Sequence, residues 1–216
     1  DKFSPEIIFA SPVSGVVSEV VRGEKRKLLE IRIKTDKQIE YIKYDLPKVE
    51  DLSAEKIIEA LKKSGLWVCL KQRPYGIIPN PNVEPKAIFV SGFSSVPAAP
   101  DYDYALKDEL DNIQLAINAL NKLTKGGVHM GLSRISANST PLHKLKNVYF
   151  HVFDGPHPAD NVGVQIHHIS PVNKGEVVWT VDLPLLAAIG KFFSKGIYDM
   201  SRTVAITGPR ANDPCY

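Results

Sequence analysis

Between Ala87 and Val90 the chain runs Ala87-Ile88-Phe89-Val90, four residues with no polar position among them. A strand sends alternate side chains to opposite faces, so a strand apolar at every position must be covered on both sides. That requirement implies helices above and below a mostly parallel sheet. The chain downstream supplies them. Leu106, Leu110, Ile113, Ile117 and Leu120 are spaced four, three, four and three, one stripe of a helix. Gly126-Gly127 ends it, and Val128–Leu132 and Val148–Phe153 read as further strands. A helix beginning near Asp160 would place Val162, Ile166 and Ile169 on one side. Val177–Val181 is another strand, Leu183–Ser194 a helix with Leu186, Ile189 and Phe193, and Thr203–Ile206 a closing strand. Strands alternating with helices predict a Rossmann-like α/β domain over 86–216.

The first fifty residues have a different texture. Leu29, Ile31 and Ile33 alternate with Glu30, Arg32 and Lys34, the period of a half-buried strand. Val16-Val17 and Val20-Val21 precede them across a turn at Arg22-Gly23-Glu24, and Ile39, Tyr41 and Lys43 extend the pattern. Short strands around glycine turns predict a small barrel-sandwich module over 1–50. Its Ser11-Pro12-Val13-Ser14-Gly15-Val16-Val17 run resembles the lipoyl and biotinyl carriers. Lys25 and Lys27 lie near the turn but lack the flanking residues of a carrier lysine, so the fold is expected without that chemistry. A helix and proline-rich connecting loop occupy 51–85: Ser53 caps, Ile57, Ile58 and Leu61 form the apolar face, and Gly65 stops the helix. The fold class is therefore mixed, α+β followed by α/β.

Charge and cysteine content narrow the function. Lys and Arg number 27 against 24 Asp and Glu, a net charge of +3. That is too mild for a nucleic-acid surface. The local cluster Arg22, Lys25, Arg26 and Lys27 reads as a solvated turn, with anionic lipid or an acidic partner as the alternative. Cys69 and Cys215, the two cysteines, are too far apart for a CxxC site and fit a reducing compartment. Cys69 lies in Leu66-Trp67-Val68-Cys69-Leu70 and is expected to act as a small buried hydrophobe. No run is long enough to span a bilayer, and the first residues do not read as a signal peptide. Beginning at Asp1 and stopping just past an apolar strand, the sequence reads as a piece of a longer protein.

Several chemistries lack their motif. There is no GxGxxG, no GxxxxGK[ST] and no GxSxG. Strand 87–91 leads instead into Gly92-Phe93-Ser94-Ser95, with a bulky ring where a phosphate needs close backbone approach. Asp101 and Asp103, and Asp108 and Asp111, read as surface carboxylates. His167 and His168 are adjacent and diverge in a helix or a strand, so with His157 they make no shared metal site. No catalytic residue and no metal ligand is assigned. What remains is a segment dense in rings and rigid turns, Gly155-Pro156-His157-Pro158-Ala159-Asp160 through His167-His168 and Pro171-Val172, near Tyr149, Phe150, Phe153 and Trp179. A flat quinone head group needs such apolar walls and donors for its carbonyls. A packed core beneath a rigid loop explains the same residues.

That segment resembles the GPHPAG…HIH…PV signature of the NqrA family, a soluble component of the sodium-pumping NADH:quinone oxidoreductase. Further matches follow in order: Ser11–Val17, Arg22–Arg26, Gly65-Leu66-Trp67, Gln72-Arg73-Pro74-Tyr75, Ala87–Val90, Val178-Trp179-Thr180, Ala188–Lys191 and Thr207-Gly208-Pro209. The resemblance implies a soluble, peripheral subunit on the cytoplasmic side of the bacterial inner membrane, docked on membrane partners of the redox pump. It implies a central domain similar to the flavin-binding subunit of complex I, and a further β-grasp-like domain beyond this chain. That flavin subunit uses a glycine-rich loop, whereas Gln72–Asn80 holds only Gly76. The chain is thus expected to bind no flavin itself, leaving NAD, FMN, quinone and sodium to the complex. His157, His167, His168, Arg73 and Trp179 are the candidates for contact with quinone or a partner. Where the family often has Gly-Thr-His-Ile-His, this chain has Gly163-Val164-Gln165-Ile166-His167-His168, so the role of the first of those histidines does not carry over. A self-sufficient NADH–FMN oxidoreductase and a purely structural assembly module are the alternatives.

Overall fold

In the computed structural model, which describes residues 4–199, 201–204 and 206, a two-stranded N-terminal hairpin precedes a five-stranded sheet layered with helices. Strands β1 (Gly15–Arg22) and β2 (Leu28–Thr35) pair antiparallel. The turn between them carries Lys25 and Arg26 at positive φ, exposed with the rest of the basic cluster. The expected continuation at Ile39–Lys43 is not a strand. This stretch leads into Tyr44, whose N–H donates to the Gly196 carbonyl (2.7 Å) and whose hydroxyl donates to the Lys63 carbonyl (3.1 Å). Tyr44 also meets Phe192 edge-on at 5.3 Å. Glu40 meets Ser14 at the foot of the hairpin without adding a strand, and no barrel closes among the described residues.

Helix α1 (Ala54–Ser64) begins where Ser53 accepts from the Lys56 N–H and ends at Gly65, φ 82°. Any side chain at Gly65 would also press on the Ala10 backbone. Ile57 and Leu61 are fully buried, with Leu66 and Trp67 in the turn that follows. Residues 51–85 contribute more than a connection: β3 (Lys71–Arg73) joins the main sheet against β7.

The sheet order is β3-β7-β4-β5-β6, with β4 (Ile88–Ser91), β5 (Val128–Ser133), β6 (Tyr149–Phe153) and β7 (Val178–Thr180) parallel and β3 antiparallel at one edge. Successive connections from β4 to β6 move one way across the sheet; β6 to β7 returns to the other side of β4. Right-handed crossovers moving in opposite directions place their helices on opposite faces. Accordingly α3 (Leu110–Asn121) and α5 (Leu183–Lys195) pack with Ile88, Val90, Val128 and Met130 on one face. Helix α4 (Val162–Ile169) covers Ala87, Phe89 and Val178 on the other through Ile166. The all-apolar run at 87–90 is explained: each of its residues is at most 3% exposed.

Two boundaries differ from the sequence reading. Leu106 shares the helix stripe but precedes the helix; α2 (Tyr102–Ala105) ends there, and exposed Lys107 and Asp108 separate it from α3. Helix α4 begins at Val162 rather than Asp160, because the Asn161 side chain caps it. Thr203 and Val204 form no strand; Ala205 and Thr207 onward, with Cys215, lie outside the described residues. Cys69 is buried, as expected, with Sγ 3.8 Å from the Tyr198 hydroxyl, and burial pushes its thiol pKa up.

Candidate functional site at the strand ends

The strand order reverses at β4, and ligands of open α/β sheets bind outside the carboxyl ends of strands beside such a reversal. Two loops meet there. The one after β4 carries Ser94 and Ser95; the one after β6 carries His157, Asp160 and Asn161. Ser94 donates to Asp160 Oδ2 (3.0 Å) and Ser95 donates to Oδ1 (2.5 Å). With its proton committed to Asp160, the Ser95 oxygen accepts from His157 Nδ1–H at 3.1 Å, and that nitrogen is 3.3 Å from Asp160 Oδ1. Burial alone would push the Asp160 carboxyl up. The bonds from the Ser95 side chain and backbone, from Ser94 and from its own backbone outweigh it and hold the pKa below the ordinary value. The ring arrangement is not a hydrolase triad. Serine and carboxylate share Nδ1, and Nε2 is left on a side chain that is 52% exposed.

Next to this clamp, Asn161 Oδ1 accepts from the Gly163 N–H (2.8 Å) and closes the first turn of α4. The Arg73 guanidinium lies over the same turn: a Cβ at Gly163 would stand 2.8 Å from its Nη2. Half-buried Arg73 makes no ion pair among the described residues. Deeper in, Gln165 is 1% exposed and donates to Ser91 Oγ (3.1 Å) and the Ala159 carbonyl (3.2 Å). It fills the space above Gly131, where any side chain would collide with it.

The structure thus brings together two of the five residues singled out from sequence. His157 and Arg73 both flank the start of α4. His167 and His168 lie exposed near its other end, about 10 Å along at 1.5 Å per residue, with their rings edge to face at 5.6 Å. Trp179 is 1% exposed and packs edge-on against Trp67 at 5.3 Å on the opposite face of the sheet from α4. Sequence reasoning did not select Ser94, Ser95, Asp160, Asn161 or Gln165; the serines directly after an apolar strand were the available signal. Among the described residues no three His, Cys, Asp or Glu side chains gather as metal ligands, and no helix is long and apolar enough to cross a membrane.

The profile of the NqrA second alpha/beta domain matches residues 52–198, and that of the NqrA N-terminal barrel-sandwich hybrid domain matches residues 1–36. The chain belongs to the NqrA family. Among NqrA relatives, the A subunit of the Na(+)-translocating NADH-quinone reductase of Yersinia pseudotuberculosis is 35% identical over 99% of this chain and 48% of its own length. Proteins of the same description from Neisseria meningitidis and Pseudomonas aeruginosa are each 34% identical over the same shares. The chain therefore spans about half the length of the curated NqrA relatives it matches. Among solved structures, an NAD+-reducing [NiFe]-hydrogenase aligns with 69% of this chain and 32% of its own at 13% identity and a TM-score of 0.46, too distant to inform the site. The Gln165 amide is spent on bracing two loops.

Proposed function

We propose that this chain acts within a subunit of a sodium-translocating NADH:quinone reductase, peripheral on the cytoplasmic face of the inner membrane. It supports quinone reduction and assembly and holds no flavin of its own. Membership of the NqrA family supports the subunit role, since the relatives carry that complex in their names. The resemblance of the α/β layer to the flavin subunit of complex I belongs to this reading too.

One observation carries the flavin half. A flavin phosphate needs open backbone amides at a helix N-terminus, free of negative charge. Here Asn161 takes the Gly163 N–H, and the Asp160 carboxylate sits beside it. The residues present do not fit FMN. NAD, FMN and sodium then belong to the partner subunits.

What the loops at these strand ends offer is donors. Arg73 presents a guanidinium, always charged. His157, held at Nδ1 by Ser95 and Asp160, turns Nε2 outward: an acceptor for a quinol hydroxyl when neutral, a donor to a quinone carbonyl when protonated. Exposed His167 and His168 are placed to meet a partner protein rather than these loops.

The test is a quinone titration of the intact complex carrying His157→Ala or Arg73→Ala. Losing a charged hydrogen bond of about 1.5–3 kcal/mol predicts affinity weakened roughly tenfold or more. Unchanged quinone affinity in both variants leaves an assembly module only. Quinone reduction that survives loss of the chain from the membrane overturns the subunit role, and FMN bound tightly to the chain overturns the flavin half.

A further inference from the structure

The net charge of this chain is gathered at one point. Arg22, Lys25, Arg26 and Lys27 surround the hairpin turn, with Glu24 the one acid among them. The whole chain has 27 Lys and Arg and 24 Asp and Glu, and taking these five residues away leaves 23 of each sign. The excess of +3 therefore belongs to the tip of the hairpin. All four cations are exposed. None makes an ion pair among the described residues, whereas Arg32, further down the hairpin, is held by Glu19 and Glu30. Of the four, only Arg22 has a side-chain hydrogen bond among the described residues, from Nη1 to the Arg26 carbonyl at 3.2 Å.

The turn itself is closed by backbone. The Lys27 N–H donates to the Glu24 carbonyl (3.1 Å), and the Gly23 N–H donates to the Lys27 carbonyl (2.8 Å). Lys25 and Arg26 are its central residues, at φ 53° and 61°. A hairpin turn with both central residues at positive φ is the form that Asn-Gly or Asp-Gly adopts at least cost. A Cβ in the left-handed region is strained, and here two long cations stand where that strain falls. Turn stability is given up to set positive charge at the far end of the hairpin. Eight-residue strands carry that charge about 25 Å from the hairpin's base. Strain kept at an exposed turn points to a function of the turn.

We propose that the hairpin tip docks on anionic phospholipid headgroups. The proposal rests on the peripheral membrane placement given above. An anionic leaflet is a diffuse negative surface with no fixed register, and it suits cations that are long, mobile and unpaired on a convex tip. An acidic protein surface would reward cations aimed by their neighbours, and only Arg22 is so aimed. The attraction fades within a Debye length, about 8 Å at physiological salt. A projecting tip brings four cations into that range while the electrically balanced body stays clear of it. One basic cluster is a weak anchor, so its role is to orient a chain that partner subunits already hold.

Sedimentation of the 216-residue chain with vesicles tests this, comparing equimolar phosphatidylglycerol and phosphatidylcholine with phosphatidylcholine alone. Binding to the anionic vesicles only is expected, with release as salt rises toward about 1 M. Lys25→Asn with Arg26→Gly removes two cations and gives both positive-φ positions residues they favour. Thermal unfolding of that variant should be no lower than the parent's, and its affinity for the anionic vesicles should fall about 25-fold, roughly fivefold per cation. Lys27→Gln, which leaves both turn positions alone, should lose about fivefold by itself. Lys144→Gln with Lys174→Gln removes as much charge from exposed positions without ion pairs among the described residues, and should bind like the parent. Equal binding to both kinds of vesicle, tip variants that bind like the parent, or a control variant that loses as much overturns the proposal. So does a tip variant that falls away from the other subunits in detergent free of phosphatidylglycerol, which assigns the tip to an acidic protein surface. Vesicle binding involves no quinone, so its failure leaves the quinone titration standing.

Discussion

His129 Nδ1 lies 2.9 Å from His151 Nε2, across the pairing of β5 with β6. His129 Nε2 points at the Gly126 carbonyl (3.1 Å) and must carry its proton there, so Nδ1 is bare and accepts from His151. The His129 ring is stacked between Phe89 at 4.9 Å and Tyr149 at 5.0 Å.

This pair predicts an acid-sensitive fold. Burial lowers the pKa of both rings, and for His151 the neighbouring His129 lowers it further. A histidine whose folded pKa lies below its unfolded value of 6.5 binds more protons unfolded. Its contribution is therefore complete above pH 6.5 and lost as the pH falls toward the folded value. The melting temperature is expected to fall between about pH 7 and 5, before the carboxylates titrate, and His129→Gln should flatten that slope. An equal slope in the variant would reject the assignment.

Asp160 ties the loop after β4 to the loop before α4 through Ser94 and Ser95. Its side chain is only 13% exposed, so Asp160→Ala leaves two hydroxyls without their acceptor. Urea unfolding should show a loss of about 1–3 kcal/mol. Hydrogen exchange should quicken in 92–96 and 155–161 before it does in β5.

Gly190 lets α5 touch α3. A Cβ there would overlap the Asn112 carbonyl of α3, a backbone atom that cannot rotate away. Gly190→Ala, benign on an exposed helix, should cost at least about 1–3 kcal/mol here by forcing the helices apart. A stabilised variant in thermal denaturation would show that the two helices do not approach so closely.

The two buried tryptophans should respond unequally to truncation. Trp67 Nε1 donates to the Pro79 carbonyl at 2.9 Å, whereas Trp179 Nε1 has no partner among the described residues. Trp67→Phe loses volume and orphans a carbonyl; Trp179→Phe loses volume but removes an unsatisfied donor. Chemical denaturation should therefore find Trp67→Phe the more destabilising, by about 1 kcal/mol or more.

Much of the α/β layer is legible in the amino-acid order alone. Ile88–Val90 reads as a doubly covered strand because period two leaves no polar face, and Ser53 and Gly65 bound α1 because capping is local chemistry. The site is legible only in part. His157 and Arg73 stand out by composition, but their shared place at α4 depends on β3 adding beside β7, which no spacing encodes. Trp179 faces the other layer for a related reason: a ring in a strand covered on both sides can face either layer, and β7, buried at every position, has no exposed polar face to mark which.

By itself, the sequence determined what lies within a few residues' reach: the strand and helix periods, the caps, the glycine stops and the lack of a phosphate loop. Only the tertiary structure decided that Ser95, His157 and Asp160 meet across 65 residues and that His129 bonds His151. The physical reason is that strand order and register are settled by the summed burial of the whole layer. Contacts between distant segments have no local signature to read.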